Sequence, residues 1–256
     1  MSDRILEVSS GETPPLLSVV VPMHNEAGNA GPLIAEIATA LAGIRAEIVA
    51  VDDGSVDGTV GELQSAAEFC PNLRVVRHRA RSGQSMAVIT GVRAARGSWI
   101  ATLDGDGQND PRDIPALLAA AQANGADAIL IAGFRRLRRD SFAKRWGSRF
   151  ANAVRARLLR DSTPDTGCGL KVFRREDFLA LPQFDHMHRF LPALFLRQGG
   201  TVISLPVNHR PRTRGRSHYG SLDRLAVGIV DLAGVWWLQR RWRRPEIVAN
   251  HPRVTE

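Results

Sequence analysis

A chain of 256 residues with 44% hydrophobic content can bury a large core as a single α/β domain. Its formal charge of +8 and pI near 10.9 direct it toward anionic partners, either a membrane surface or nucleic acid. Cys70 and Cys168 are the only cysteines; they lack metal-ligand spacing, which sets aside a cysteine-held metal, and they suit buried thiols in a reducing compartment.

The first half repeats one pattern: apolar strand, polar turn, helix. Leu17 to Pro22 reads as a strand running into Met23-His24-Asn25-Glu26, followed by a helical pattern of Leu33, Ile34, Ile37 and Leu41. Glu47 to Val51 leads into Asp52-Asp53-Gly54-Ser55 with Asp57 and Thr59, then a helix through Leu63 and Ala67. Leu73 to Arg77 leads into Ser82-Gly83-Gln84-Ser85 and a helix with Met86, Ile89 and Val92. Trp99 to Leu103 makes a fourth strand, a helix follows over about 111 to 123, and Ala128 to Ala132 makes a fifth strand. Such alternation predicts a mainly parallel sheet flanked by helices. Ligands of these sheets bind beyond the carboxyl ends of the strands. Glu26, Asp53, Asp104 and Asp106 all follow strand ends, so the topology gathers four carboxylates at one rim.

The run Leu103-Asp104-Gly105-Asp106-Gly107-Gln108 carries the most chemistry. It places two carboxylates one residue apart on a glycine-loosened turn after a buried strand. Hard oxygen ligands in this arrangement suit Mg²⁺ or Mn²⁺, which are held by one or two carboxylates together with a substrate's phosphates. A calcium loop is excluded: counted from Asp104, the sixth position is Asn109 where Gly is required and the twelfth is Pro115 rather than Glu.

Taken together, Val21-Pro22-Met23-His24-Asn25-Glu26, Val51-Asp52-Asp53-Gly54-Ser55 and the Asp104 to Asp106 turn with Asp110-Pro111 resemble family 2 glycosyltransferases. Asp165-Thr166-Gly167-Cys168-Gly169-Leu170-Lys171-Val172-Phe173 and the stretch from Arg212 to Gly220 resemble its dolichyl-phosphate mannosyltransferase and undecaprenyl-phosphate glycosyltransferase branch. The resemblance implies a single GT-A type domain, a nucleotide-sugar donor, a polyprenyl-phosphate acceptor, a divalent metal and transfer with inversion. It places Pro22, Glu26, Asp53 and Asp104 at the nucleotide, and Asp104, Asp106 and Gln108 at the metal. Asp106, Arg135 and Arg149 fall at the reacting centre, and Arg212, Ser217 and His218 at the acceptor phosphate. Two positions depart from the branch: His24 stands where Tyr is common, and His218 where Lys is common.

The charge pattern fits that chemistry. A sugar leaving a nucleotide diphosphate builds negative charge on the phosphate, and a lipid phosphate is itself anionic, so two polyanions must be held together. Arg135, Arg136, Arg138, Arg139, Lys144, Arg145 and Arg149 supply cations in one stretch; a solvated basic face is the plain alternative. Phe142, Trp146, Phe150, Val154 and Leu158 recur every four residues among them, as in an interfacial helix or an ordinary core-facing one. Leu225 to Leu238 is nearly apolar and carries Trp236-Trp237 before Arg240-Arg241. It falls below the roughly 20 residues needed to span a bilayer, so the expectation is a helix lying on an anionic leaflet.

The expected organisation is a disordered segment over 1–15, the GT-A domain over 16–220, an interfacial helix over 221–243 and a tail over 244–256. Met1 to Pro15 lack a signal pattern, and the expected location is peripheral, on the cytoplasmic face of the membrane. A nucleic-acid partner is set aside: acid pairs repel phosphates, and no helix-turn-helix, zinc-finger or RNA-binding signature is present. Two readings stay open beside lipid-phosphate transfer. One is a hydroxyl acceptor, which needs a general base such as Asp165; the other is a non-catalytic module on the same fold.

Overall fold

The computed structural model describes residues 13–125, 128–135, 155–211, 221–241 and 243. Seven strands form one sheet in the order β3-β2-β1-β4-β6-β5-β7. Their ranges are β1 Leu17–Met23, β2 Ala46–Asp52, β3 Leu73–Arg77, β4 Trp99–Thr102, β5 Ile129–Arg135, β6 Lys171–Arg174 and β7 Thr201–Val207. Among the strands of the described residues only β6 runs against its neighbours, β4 and β5; the other strand pairings are parallel. The expected α/β architecture is therefore present, with one antiparallel strand inserted between the fourth and fifth.

Alternation along each strand divides the core. In β1, Leu17, Val19, Val21 and Met23 face one layer while Val20 faces the other. On the first face lie α1 (Ala30–Ala40), α2 (Thr59–Phe69) and α4 (Ile114–Ala123), through Leu33, Ile34, Ile37, Leu63, Leu117 and Leu118. The opposite face holds α3 (Gln84–Ala94), α5 (Arg175–Leu179), α6 (Leu191–Arg197) and α7 (Ser221–Arg241), through Ile89, Phe178, Leu194, Phe195 and Val235. Sheets buried on both faces need apolar residues at successive positions, which is why these strands read as continuous apolar runs.

The chain builds β1, β2 and β3 outward in one direction, then returns to place β4 on the other side of β1. That reversal is the switch point at which open α/β sheets bind ligands. The turns after β1, β2 and β4 emerge there side by side.

Helix α7 docks through Leu232, Val235 and Trp236. Gln239 Nε2 donates to Leu159 O (2.9 Å) and Ala193 O (3.2 Å), and Arg197 Nε donates to Leu238 O (3.1 Å). The two tryptophans expected together at a membrane thus part company. Trp236 packs on the core beneath the Arg240 guanidinium, while Trp237 points outward, 53% exposed. Consecutive helical residues lie about 100° apart, and the edge of the docked face falls between these two. Among the described residues no helix is long and apolar enough to cross a membrane.

Candidate active site

The motifs after β1 and β2 form one structure. Asn25 N–H donates to Ser55 Oγ (2.9 Å), and Val56 N–H to Asn25 Oδ1 (3.0 Å). Glu26 N–H donates to Thr59 Oγ1 (2.8 Å), and Ala27 N–H to Asp57 Oδ2 (3.1 Å). Side-chain oxygens of the second motif thus satisfy backbone donors of the first, holding Glu26 at the rim; Asn29 Nδ2 donates to its Oε2 (3.0 Å).

Asp53 follows the end of β2. Rather than offering an open carboxylate, it is 3% exposed and turned onto the loop before α3. It accepts from Ser82 N–H (2.7 Å) and Gly83 N–H (2.8 Å), with His78 Nδ1 2.8 Å away. Burial opposes its charge, but these hydrogen bonds outweigh it and hold the carboxyl below its ordinary value. A buried carboxylate needs such donors, and through them Asp53 fixes the 78–83 loop.

That loop reaches the acid pair. Gln84, the first residue of α3, donates through Nε2 to Asp104 Oδ1 (2.8 Å). Asn109 is buried and its Oδ1 accepts from Asp104 N–H (3.2 Å), while Asp106 Oδ1 accepts from Gln108 N–H (3.1 Å). Burial and the neighbouring charge of Asp106 push the Asp104 carboxyl up to about 6, against the opposing pull of Lys171 and the Gln84 hydrogen bond. A side chain at Gly169 would collide with both carboxylate oxygens of Asp104. Thr102 Oγ1 donates to Gly169 O (2.8 Å), fixing this close approach.

Below the pair lies Lys171, 3% exposed, on β6 opposite Thr102 of β4 and Ala132 of β5. Its ammonium donates to Cys168 O. Burial lowers its pKa, and the charges of Asp104 and Asp165 oppose that shift. Gln84, Thr102, Asp104, Gly169, Lys171 and His188 line a cavity of about 20 Å³ with Pro22 at its wall; that volume accommodates roughly one water molecule. Burial pushes His188 down to about 3, so it is neutral at physiological pH. It pairs with Ser85 Oγ through Nδ1 (2.7 Å).

Arg135, at the end of β5, is clamped by Asp165: Nε donates to Oδ2 (2.6 Å) and Nη2 to Oδ1 (2.9 Å). The structure thereby gathers Pro22, Glu26, Asp53, Asp104, Asp106, Gln108 and Arg135 at or beside the switch point. Arg149, Arg212, Ser217 and His218 lie outside the described residues, as do Arg136, Arg138, Arg139, Lys144 and Arg145.

The acid pair fits a divalent cation. The glycine at 169 leaves space where any side chain would displace Asp104, and two close carboxylates are a hard donor set. Among the described residues no group of three or more His, Cys, Asp or Glu side chains could hold a metal alone. Gln84, Asn109 and His188 were given no role from the sequence, and Gly169 and Lys171 were read there only as part of the 165–173 motif. For Gln84, Lys171, His188 and Gly169 the signal is spatial, since each acts on Asp104 or its surroundings from another segment, whereas Asn109 lies in the same turn.

Residues 18–181 match the model of Glycosyl transferase family 2. A dodecaprenyl-phosphate galacturonate synthase from Rhizobium johnstonii is 35% identical, covering 90% of this chain and 69% of the relative. An undecaprenyl-phosphate 4-deoxy-4-formamido-L-arabinose transferase from Pseudomonas paraeruginosa is 36% identical, covering 85% and 64%. The chain thus spans about two thirds of the length of these relatives. Glucosyl-3-phosphoglycerate synthase from Mycobacterium tuberculosis, solved with Mn²⁺, UDP and phosphoglyceric acid, shares the fold. Its TM-score is 0.67 at 20% identity, over 90% of this chain and 80% of that one. A mannosyltransferase from Pyrobaculum calidifontis, solved with GDP-Man and Mn²⁺, gives 0.62 at 24% identity, over 91% and 66%. With the family model covering most of the domain and relatives above 30% identity, this chain belongs to glycosyl transferase family 2.

Proposed function

We propose that the chain transfers a sugar from a nucleotide-sugar to a polyprenyl phosphate, with inversion at the anomeric carbon, at an anionic membrane surface. The observation that carries this reading is the Arg135–Asp165 clamp. A hydroxyl acceptor needs a base, and Asp165, the candidate for that role, is 5% exposed and held through both oxygens. A carboxylate so paired is a poor base. A lipid phosphate is already anionic and needs none: its oxygen bonds to the anomeric carbon as the bond to the nucleotide diphosphate breaks.

Asp104 and Asp106 would hold Mg²⁺ or Mn²⁺, with Gln108 beside them; when bound there, such an ion neutralises charge on the leaving diphosphate. Asp165 orients the Arg135 guanidinium and raises its pKa, keeping a permanent cation at the rim. Glu26 and the loop held by Asp53 define the nucleoside end. Arg149 adds charge at the reacting centre, and Arg212, Ser217 and His218 receive the lipid phosphate. Exposed Val230, Ala233, Gly234 and Trp237 share the undocked face of α7, near Arg240 and Arg241, which suits the headgroup zone of an anionic leaflet. The relatives' names, both polyprenyl-phosphate transferases, support the same acceptor class.

Titrating UDP and GDP with Mn²⁺, without acceptor, tests the division of the rim. Asp53→Ala should weaken nucleotide binding and Arg212→Ala should leave it unchanged. Equal loss in both would reassign the late arginine segment to the donor.

A further inference from the structure

Ser82, Gly83 and Gln84 join the turn after β2 to the acid pair. Ser82 N–H donates to Asp53 Oδ1 (2.7 Å) and Gly83 N–H to Asp53 Oδ2 (2.8 Å). The next residue, Gln84, donates through Nε2 to Asp104 Oδ1 (2.8 Å). The loop ahead of them is held from two sides. His78 reaches Asp53 Oδ1 through Nδ1 (2.8 Å) and Thr90 Oγ1 of α3 through Nε2 (3.0 Å). A side chain at Gly54 would come within 2.7 Å of the backbone of Ala80 and Arg81, so the turn after β2 and this loop meet backbone against backbone.

Gly83 is the weak point of the connection. Its φ of 92° and ψ of 157° belong to a region that essentially only glycine occupies, and an untethered glycine would let the start of α3 swing. Asp53 Oδ2 grips that residue directly. Gln84 is itself exposed, and its flexible side chain meets Asp104 reproducibly only when its backbone is fixed. Its hydrogen bond, together with the close approach of Gly169, keeps the Asp104 carboxylate from rotating. We propose that Asp53 is a positioning residue for Asp104, acting through Gly83 and Gln84. It fixes the residue that orients the carboxylate, and so raises the affinity of the acid pair for a divalent cation before any nucleotide binds. This rests on the reading of Asp104 and Asp106 as ligands of that ion.

The test is an Mn²⁺ titration followed by electron paramagnetic resonance, without nucleotide. Wild type, Asp53→Ala, Gln84→Ala, the double variant and Asp106→Ala are compared, with thermal melting of each. Removing an outer-shell partner of a metal ligand lowers metal affinity about 10- to 100-fold, so Asp53→Ala and Gln84→Ala should each weaken Mn²⁺ binding by at least about tenfold. Gln84→Ala should do so with melting unchanged, since its side chain is exposed. The double variant should bind no more weakly than the weaker single one, because residues acting along one connection are not additive. A merely structural Asp53 would lower melting and leave Mn²⁺ affinity alone. Where Asp53→Ala does not fold, Asp53→Asn takes its place, since it keeps the shape but accepts through one oxygen only. Unchanged affinity in Gln84→Ala or in the folded Asp53 variant overturns the proposal, as do additive losses in the double variant. If wild type binds Mn²⁺ no better than Asp106→Ala does, the acid-pair reading fails first and takes this proposal with it.

Discussion

Gly169 stands so close to the carboxylate of Asp104 that its missing side chain is part of the acid site. The contact crosses from the loop before β6 to the turn after β4, two strands whose pairing ends at Thr102 and Lys171. Gly169→Ala should therefore displace Asp104 with little effect on the core, since the collision involves a rim side chain. Mn²⁺ titration followed by electron paramagnetic resonance should show affinity lowered by at least about tenfold, given that metal sites depend on ligand placement. Unchanged affinity would mean that Asp104 is not a ligand.

Acid should weaken the metal site at an unusually high pH. Asp104 has a folded-state pKa raised to about 6 from an ordinary value near 3.8. Protonation of this group therefore favours the folded state at low pH, and that contribution is lost as pH rises through about 6. A metal must displace the same proton. Mn²⁺ affinity should be flat above pH 6 and fall about tenfold per unit below it. A titration series from pH 5 to 8 (about one unit either side of the shifted value and beyond) checks this; a curve that stays flat down to pH 5 would contradict it.

Helix α7 should separate stability from membrane binding. Trp236 packs against the core and Trp237 does not. Trp236→Ser should cost about 1–3 kcal/mol, whereas Trp237→Ser should stay within about 0.5 kcal/mol. Sedimentation with anionic liposomes should show the reverse order, with Trp237→Ser losing most of the salt-resistant binding. High salt should release the remainder, because exposed charges are screened within a Debye length of about 8 Å at physiological ionic strength.

The Arg135–Asp165 clamp makes its own prediction. Asp165→Asn removes an ionic partner from a nearly buried guanidinium, and stability should fall by about 1.5–3 kcal/mol. Activity should fall as Arg135 loses its orientation, with the pH profile unchanged in shape. Loss of a single ionisation from that profile would instead assign Asp165 as a general base.

How much of this was legible in the sequence follows from where the information lies. The five strands of the first half were readable because each is a continuous apolar run closed by a polar turn; the β3 bounds, Leu73 to Arg77, coincide with those observed. The rim followed from topology, since parallel strands deliver their carboxyl ends together. β6 was not readable as a strand: Lys171-Val172-Phe173-Arg174 contains two apolar residues, and its place comes from pairing with β4 and β5. β7 also escaped, because Thr201-Val202-Ile203-Ser204-Leu205-Pro206-Val207 is a half-exposed edge strand with a proline. At the site, the carboxylates were visible as motifs. What positions them was not. Gln84 and Lys171 act across turns and strands, and no spacing within one segment encodes that. Asp53 shows the converse: its motif marked it as functional, but only the fold shows that its carboxylate is spent on the 78–83 loop.

The most direct test supplies a panel of radiolabelled UDP- and GDP-sugars to the protein with undecaprenyl phosphate and Mn²⁺. Label partitioning into the organic phase is then measured for wild type and Asp106→Ala. At least one donor should label the lipid, chelator should abolish transfer, and Asp106→Ala should lower it by orders of magnitude with its fold intact. Transfer undiminished in chelator, or label passing to a soluble hydroxyl acceptor while the lipid phosphate stays unlabelled, would contradict it.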